Sequence, residues 1–422
     1  MEQDGTEQST QLFNLILISI IKMNIIQSYI RDVSLSERLN NYTCHMSVMQ
    51  LHAFNADNLE DQRERSSALT KESQNIVGMG DHICLLTNLI LQKDGCQFIS
   101  LVGMGGLGKT LLAQNLFKSE RVQHGFDYLV WLALSHSFVV EQVLLEMCSQ
   151  IKLRVNENQD QTEDVIKKNH QHLKDRHCLI ILDEVWHRDV LEKIGLPLEK
   201  ESKMKILLMT CNRKVAEAML PPYDIQTLES LSSEDSMKLF CIHAFPERCA
   251  DKSPPNELSS LALKIVEKCA GLPLAIKTIA ASMAKVRRLP NDWERTLNRL
   301  LVVDAMSESV MASLRLSYQI FPNHLKLCFV YFSVFPKNTQ IKFDYLLHAW
   351  TSEGFTPERR EEAFDVARSY IDELIDRCLL EVSKVSGDGR VKYCKMHDLL
   401  HDLAISESHK QAKCLLMPGK EF

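Results

Sequence analysis

Eight residues constrain this chain more than any others: Gly103-Met104-Gly105-Gly106-Leu107-Gly108-Lys109-Thr110. An apolar run, Phe98 to Val102, precedes them, and a helix-like segment, Leu111 to Phe117, follows. Strand, glycine loop and helix in that order form the setting of a phosphate-binding loop. Gly103, Gly105, Gly106 and Gly108 let backbone N–H groups turn inward around phosphate oxygens, and the helix N-terminus adds partial positive charge. Lys109 then reaches the β- and γ-phosphates, and the Thr110 hydroxyl ligates Mg²⁺. The pattern predicts a nucleotide site on a parallel-sheet domain.

Four apolar runs around and after the loop support that fold. Phe98 to Val102, Leu129 to Leu134, Cys178 to Leu182 and Lys205 to Thr210 alternate with helix-like segments and read as buried parallel strands. The α/β domain is expected over residues 75–230. Ser232-Ser233-Glu234-Asp235 then looks like a capped helix start, and Gly271-Leu272-Pro273 breaks the helical stretch from Leu261 to Met283. A helical domain is expected over 231–302. Beyond it, helices at Leu314 to Val330 and Phe364 to Leu380 lead into a hairpin pattern, Leu379 to Ser383 and Val391 to Met396. Helices closed by a hairpin predict a winged-helix domain over 303–410, with residues 411–422 as a tail.

Residues 1–74 carry an apolar stretch, Leu12 to Ile30, interrupted by Lys22, Asn24 and Gln27. It falls short of the roughly 20 apolar residues of a membrane span, and acidic rather than basic residues precede it. A short helical segment and polar linker is the reading, with membrane-surface association as the alternative. The net charge of −6 argues against nonspecific nucleic-acid binding. Thirteen cysteines, scattered and without a CxxC pair, argue against disulfide or structural-zinc frameworks and for a reducing, cytoplasmic setting.

The strand Cys178 to Leu182 ends in Asp183-Glu184. A carboxylate there is the usual partner for Mg²⁺, so Asp183 is the second metal residue and Glu184 the candidate water-polarising base. Farther on, Met396-His397-Asp398-Leu399-Leu400-His401 spaces two histidines at i, i+4, as in half a zinc site, but Asp398 stands where the zincin pattern needs Glu.

Seven ordered blocks resemble the NB-ARC module of plant intracellular immune receptors, a group of STAND-class switch ATPases. They are Ile76-Val77-Gly78, the glycine loop, Phe126 to Trp131, Leu182 to Trp186, Cys269 to Ala275, Cys328 to Pro336 and Met396-His397-Asp398. Trp186 resembles the coiled-coil, non-TIR subclass. The resemblance implies that Val77 and Pro273 line an adenine pocket, and that His397 contacts the β-phosphate of ADP. It implies an ADP/ATP-binding switch in defence signalling, with other receptors or copies of the chain as partners. An adaptor that binds nucleotide without switching, or an ATPase whose turnover is the output, are the alternatives.

Three positions depart from that pattern. Leu111 replaces a second threonine, Glu184 replaces an aspartate, and Met209-Thr210-Cys211 replaces Thr-Thr-Arg. The missing arginine is expected to sense the terminal phosphate, and Arg213 is the candidate substitute. Weak ATP discrimination and slow turnover, if any, are therefore expected. No repeat follows residue 400, so leucine-rich repeats are not expected within this chain.

Overall fold

The computed structural model describes residues 76–416 apart from 93–97, 135–137, 156–161, 174–175, 188, 197–202, 219–222, 249–252, 304–309, 357–359 and 387–389. The segment Leu12 to Ile30 lies outside the described residues. The chain divides into two compact units. One holds Ile76–Leu239 and Ala270–Leu274, and the other holds Phe240–Cys269 and the part from Ala275 onward.

In the first unit, α1 (Gly80–Leu91) leads to β1 (Phe98–Val102), α2 (Lys109–Lys118) and the short α3 (Glu120–Gln123). Next come β2 (Tyr128–Ala133), α4 (Val140–Gln150), α5 (Thr162–Leu173), β3 (Cys178–Asp183), α6 (Val190–Ile194), β4 (Met204–Thr210), α7 (Arg213–Glu217) and β5 (Tyr223–Thr227). All strands pair parallel, in the order β2-β3-β4-β1-β5. Every residue of β1, β3 and β4 is buried, which is why these strands read as continuous apolar runs. Phe98, Ile180, Ile206 and Leu208 pack with Leu144 and Met147 of α4 into one core.

The sequence pattern predicts four of these strands and misses β5. Tyr223-Asp224-Ile225-Gln226-Thr227 pairs only with β1 and is only partly buried, so nothing forces it to be apolar. The opposite edge, β2, is closed by a side chain. Gln150 accepts from the Trp131 N–H through Oε1 and donates to the Trp131 carbonyl through Nε2, both at 2.7 Å. That occupies backbone groups an unwanted strand would otherwise use.

α8 (Ser233–Ala244) begins where the serine cap predicts it: the Asp235 N–H donates to Ser232 Oγ at 3.1 Å. The other unit continues with α9 (Asn256–Lys268), α10 (Pro273–Ala284) and α11 (Pro290–Val303). Trp293 is fully buried there, stacked on Phe245 at 5.6 Å and edge-on to Phe240 at 6.2 Å. α12 (Val310–Gln319) and α13 (Asn323–Tyr331) replace the single helix expected from Leu314 to Val330. Pro322 separates them, because proline disfavours helical backbone in the residue before it and lacks an N–H donor.

β6 (Ile341–Lys342), α14 (Phe343–Ser352), α15 (Arg360–Asp376), β7 (Glu381–Val385), β8 (Val391–Lys395) and α16 (Asp398–Leu416) complete the chain. The three strands form an antiparallel sheet, β6-β8-β7, which with α14 and α15 makes the expected winged helix. Two-residue β6 carries no sequence periodicity and is set by its pairing of Ile341 with Cys394. α16 runs six residues into the stretch expected as a tail. Among the described residues no helix is long and apolar enough to cross a membrane.

Candidate nucleotide-binding site

Parallel strands put their carboxyl ends on one edge of the sheet, and the pairing sets what meets there. β4 lies between β1 and β3, with Val102 beside Thr210 and Leu182 beside Leu208. The loop after β1, the acids after β3 and Cys211 after β4 are thereby neighbours.

Gly108 precedes α2 with φ 96°, in the left-handed region where a side chain is strained. A Cβ there would also come within 2.6 Å of the Met79 methyl. Lys109 opens α2, and its ammonium donates to the carbonyls of Gly103 at 2.7 Å and Met104 at 3.0 Å. The lysine head therefore sits at the mouth of its own loop. The Thr110 hydroxyl donates to Asp183 Oδ1 at 3.2 Å, joining the two residues assigned to the metal. Asp183 is buried, at 6% exposure. A hydroxyl and a carboxylate side by side are hard oxygen donors, which fits Mg²⁺.

Glu184 follows with φ 60°, an uncommon conformation for a non-glycine residue. Its neighbours fix it there. The Leu134 N–H donates to the Asp183 carbonyl at 2.9 Å, and the Val185 N–H to the Met209 carbonyl at 2.9 Å. The Thr210 hydroxyl then donates to the Val185 carbonyl at 2.6 Å. The turn bearing the candidate base is thus pinned to β2 and β4, the kind of setting in which backbone strain persists.

Cys211 occupies the position where a phosphate-sensing arginine is expected. Its Sγ lies 3.3 Å from Lys109 Nζ. Arg213, the candidate substitute, is exposed on α7 and pairs with Glu217 at 2.9 Å. Asn212 caps that helix by accepting from the Lys214 N–H at 3.1 Å.

Beside the loop is a cavity of about 220 Å³, walled by Met79, Leu107, Leu228 and Leu231, with His82, Glu229 and Asp235 as its titratable edges. It is smaller than the roughly 300 Å³ at which pockets begin to hold whole drug-sized ligands, so it suits one ring system. Val77 is half-buried and does not line the cavity itself, although Gly78 beside it does. Pro273 is buried but does not line the cavity itself. Its block reaches the site through backbone bonds: Leu231 N–H to the Gly271 carbonyl at 2.9 Å, and Leu274 N–H to the Gly106 carbonyl at 3.2 Å.

In the other unit, His397 precedes α16 and caps it. Its Nδ1 accepts from the Leu399 N–H at 3.2 Å, so in the neutral ring Nε2 carries the proton. Around it lie groups that the sequence alone did not connect. Glu381 and Lys395 are register partners across β7 and β8, paired at 3.3 Å. Burial pushes the Glu381 carboxyl up, but Lys395, His397 and Lys277 outweigh it and hold it below its ordinary range. Three nitrogen groups thus surround one carboxylate. His401 does other work: it is buried, and its Nε2 contacts the Phe335 carbonyl at 2.8 Å. Among the described residues no group of three His, Cys, Asp or Glu side chains that could hold a metal ion forms.

The comparisons with known proteins concern the family and the fold. The NB-ARC domain model matches residues 80–250, and the disease resistance protein winged helix domain model matches residues 334–404. The putative disease resistance RPP13-like protein 3 of Arabidopsis thaliana is 31% identical over 84% of this chain and 42% of its own length. The disease resistance protein RPM1 of the same plant is 32% identical over 75% of this chain and 35% of its own. The chain thus spans less than half the length of these relatives. A STAND protein with a tetratricopeptide repeat sensor, from Pyrococcus horikoshii, shares the fold with a TM-score of 0.51 at 15% identity, over 81% of this chain and 44% of its own. With its phosphate loop, its parallel sheet and its winged helix each matched in order, the chain belongs to the NB-ARC family of plant disease-resistance proteins.

Proposed function

We propose that this chain is an adenine-nucleotide switch module of plant defence signalling, holding ADP at rest and exchanging it for ATP on activation. The observation that carries the reading is the meeting of Lys109, Thr110 and Asp183 on one edge of the sheet, with Thr110 Oγ1 and Asp183 Oδ1 3.2 Å apart. Backbone N–H groups of the glycine loop and Lys109 bind the phosphates. Thr110 and Asp183 hold Mg²⁺, which when bound neutralises phosphate charge. The cavity edged by Leu107 and Leu231 takes the base, beside Val77 and the Pro273 block.

His397 supplies the switch. A donor that meets the β-phosphate in only one state of the protein gives ADP a differential affinity for that state, and differential affinity is what shifts a population. Its partners in this reading are other receptors or further copies of the same chain. Glu184 is the candidate base for hydrolysis, with slow turnover because Cys211 brings no charge to the terminal phosphate. A second reading, a nucleotide-locked adaptor, is favoured by the same Cys211.

Asp398→Val distinguishes the two. Asp398 Oδ1 is buried without a hydrogen-bond partner, so valine costs little beyond the loss of an acid in the first turn of α16, under about 1 kcal/mol. Expected is a folded protein that releases ADP several-fold faster than wild type. Unchanged ADP release from a folded variant supports the adaptor instead. In wild type, ADP and ATP affinities are expected within about tenfold of each other, a difference of about 1.4 kcal/mol. A larger, γ-phosphate-dependent preference contradicts the role given to Cys211.

A further inference from the structure

Cys211 belongs to neither the phosphate-binding set nor the metal-binding pair, yet it contacts the most important cation of the site. We propose that Cys211 is an oxidation site that gates nucleotide loading: a peroxide converts its thiol to a sulfenic acid, which engages Lys109 and withholds it from phosphate. The proposal rests on the nucleotide reading above.

Three observations place the reaction here rather than elsewhere. Cys211 Sγ lies 3.3 Å from Lys109 Nζ, the result of β4 pairing directly with β1. Cys211 is exposed, whereas Cys148, Cys178, Cys241, Cys269, Cys328 and Cys394 are buried and Cys378 is half-buried, 3.9 Å from His243 Nδ1. Burial pushes the Cys178, Cys269 and Cys394 thiols up to about 12, which leaves them inert as nucleophiles. Cys84, the other exposed cysteine among the described residues, contacts Asn88 on its own helix and no cation. Among the described cysteines, Cys211 is the one whose sulfur meets the Lys109 ammonium.

The step balances with the peroxide as oxidant. The sulfur attacks one peroxide oxygen, an S–O bond forms and the O–O bond breaks. Sulfur loses two electrons, and the peroxide leaves as water after taking up the thiol proton. A small thiol can then displace hydroxide from sulfur, forming a mixed disulfide and water, and a second thiol regenerates Cys211. The sulfenic oxygen is a stronger hydrogen-bond acceptor than a thiol and, on a sulfur 3.3 Å from Lys109 Nζ, competes with phosphate oxygens for that ammonium.

The test uses the full chain, reduced, with a fluorescent ADP as probe. Affinity is measured before and after a quenched pulse of hydrogen peroxide, for wild type, Cys211→Ser and Cys84→Ser, with dimedone labelling and mass spectrometry to locate sulfenic acid. Expected are a dimedone adduct on Cys211, an affinity loss on the order of tenfold in wild type and Cys84→Ser, and recovery with dithiothreitol. Cys211→Ser should keep its own reduced-state affinity after the pulse. Bound ADP should slow the labelling of Cys211. Equal losses in Cys211→Ser and wild type, or an adduct on Cys211 without affinity loss, or no adduct there, each overturns the gate. ADP binding by reduced protein that survives Cys211 oxidation leaves the nucleotide reading standing and removes the gate alone. Failure of every reduced protein to bind ADP or ATP overturns both.

Discussion

Lys109→Arg is expected to lose ADP and ATP binding, by about 100-fold or more, while the protein stays folded. The charge is unchanged in this variant, so the effect isolates shape. Lys109 Nζ is a compact head held between the Gly103 and Met104 carbonyls, at 2.7 and 3.0 Å. A planar guanidinium with five donors in a rigid fork cannot occupy that point and is displaced into the volume meant for phosphate. Charge-assisted hydrogen bonds of this kind contribute about 1.5–3 kcal/mol each, and two lost together account for the expected change. Calorimetric titration of both nucleotides checks it, with circular dichroism as the folding control. Wild-type affinity in the variant would mean that phosphate does not sit at Lys109.

Gly271→Val is expected to be the most destabilising single change near the site, by about 3 kcal/mol. Gly271 has φ 71°, and Ala270 before it has φ 48°, so the chain makes two left-handed steps in succession. A Cβ on Gly271 would meet the Leu231 carbonyl at 2.6 Å and the Ser230 Cβ at 3.0 Å. The first of these is backbone and cannot rotate away. Relief of the clash breaks the bond from the Leu231 N–H to the Gly271 carbonyl, and with it the seat of the cavity wall at Leu231. Weaker ADP binding should therefore accompany the loss of stability. Denaturant titration of the first unfolding transition reads the effect, with Leu263→Ala, at an exposed position, expected within about 0.5 kcal/mol of wild type. A Gly271→Val transition that matches the control would show that the block around Pro273 tolerates a different backbone.

The parts of this fold that the sequence makes legible are the parts where one physical demand dominates. β1, β3 and β4 are buried along their whole length, so they must be apolar and short, and they read as such. The glycine loop needs left-handed backbone at Gly106 and Gly108, which few residues supply. β5 fails that logic because an edge strand has one partner and a wet face. The single helix expected across Leu314 to Val330 fails because apolar spacing outweighed Pro322, whose backbone restriction is the stronger constraint.

The site follows the same division. Lys109, Thr110 and Asp183 are recognisable from residue type and position, since the phosphate-loop pattern and a strand-end carboxylate are defined by both. The contact between Lys109 and Cys211 spans 102 positions and depends on β4 lying next to β1. Strand order is a tertiary outcome, and no local pattern encodes it. The surroundings of His397 are similar: Glu381 and Lys395 become its neighbours through a hairpin register, while Lys277 comes from α10.

The central claim is that the chain holds an adenine nucleotide through the glycine loop, with ADP as the resting occupant. Chromatography and mass spectrometry of the nucleotide released from the purified, denatured full chain test it most directly. ADP near one equivalent per chain in wild type, and none in Lys109→Arg, is the predicted result. A guanine nucleotide, or no nucleotide together with no binding of added ADP or ATP, would contradict it.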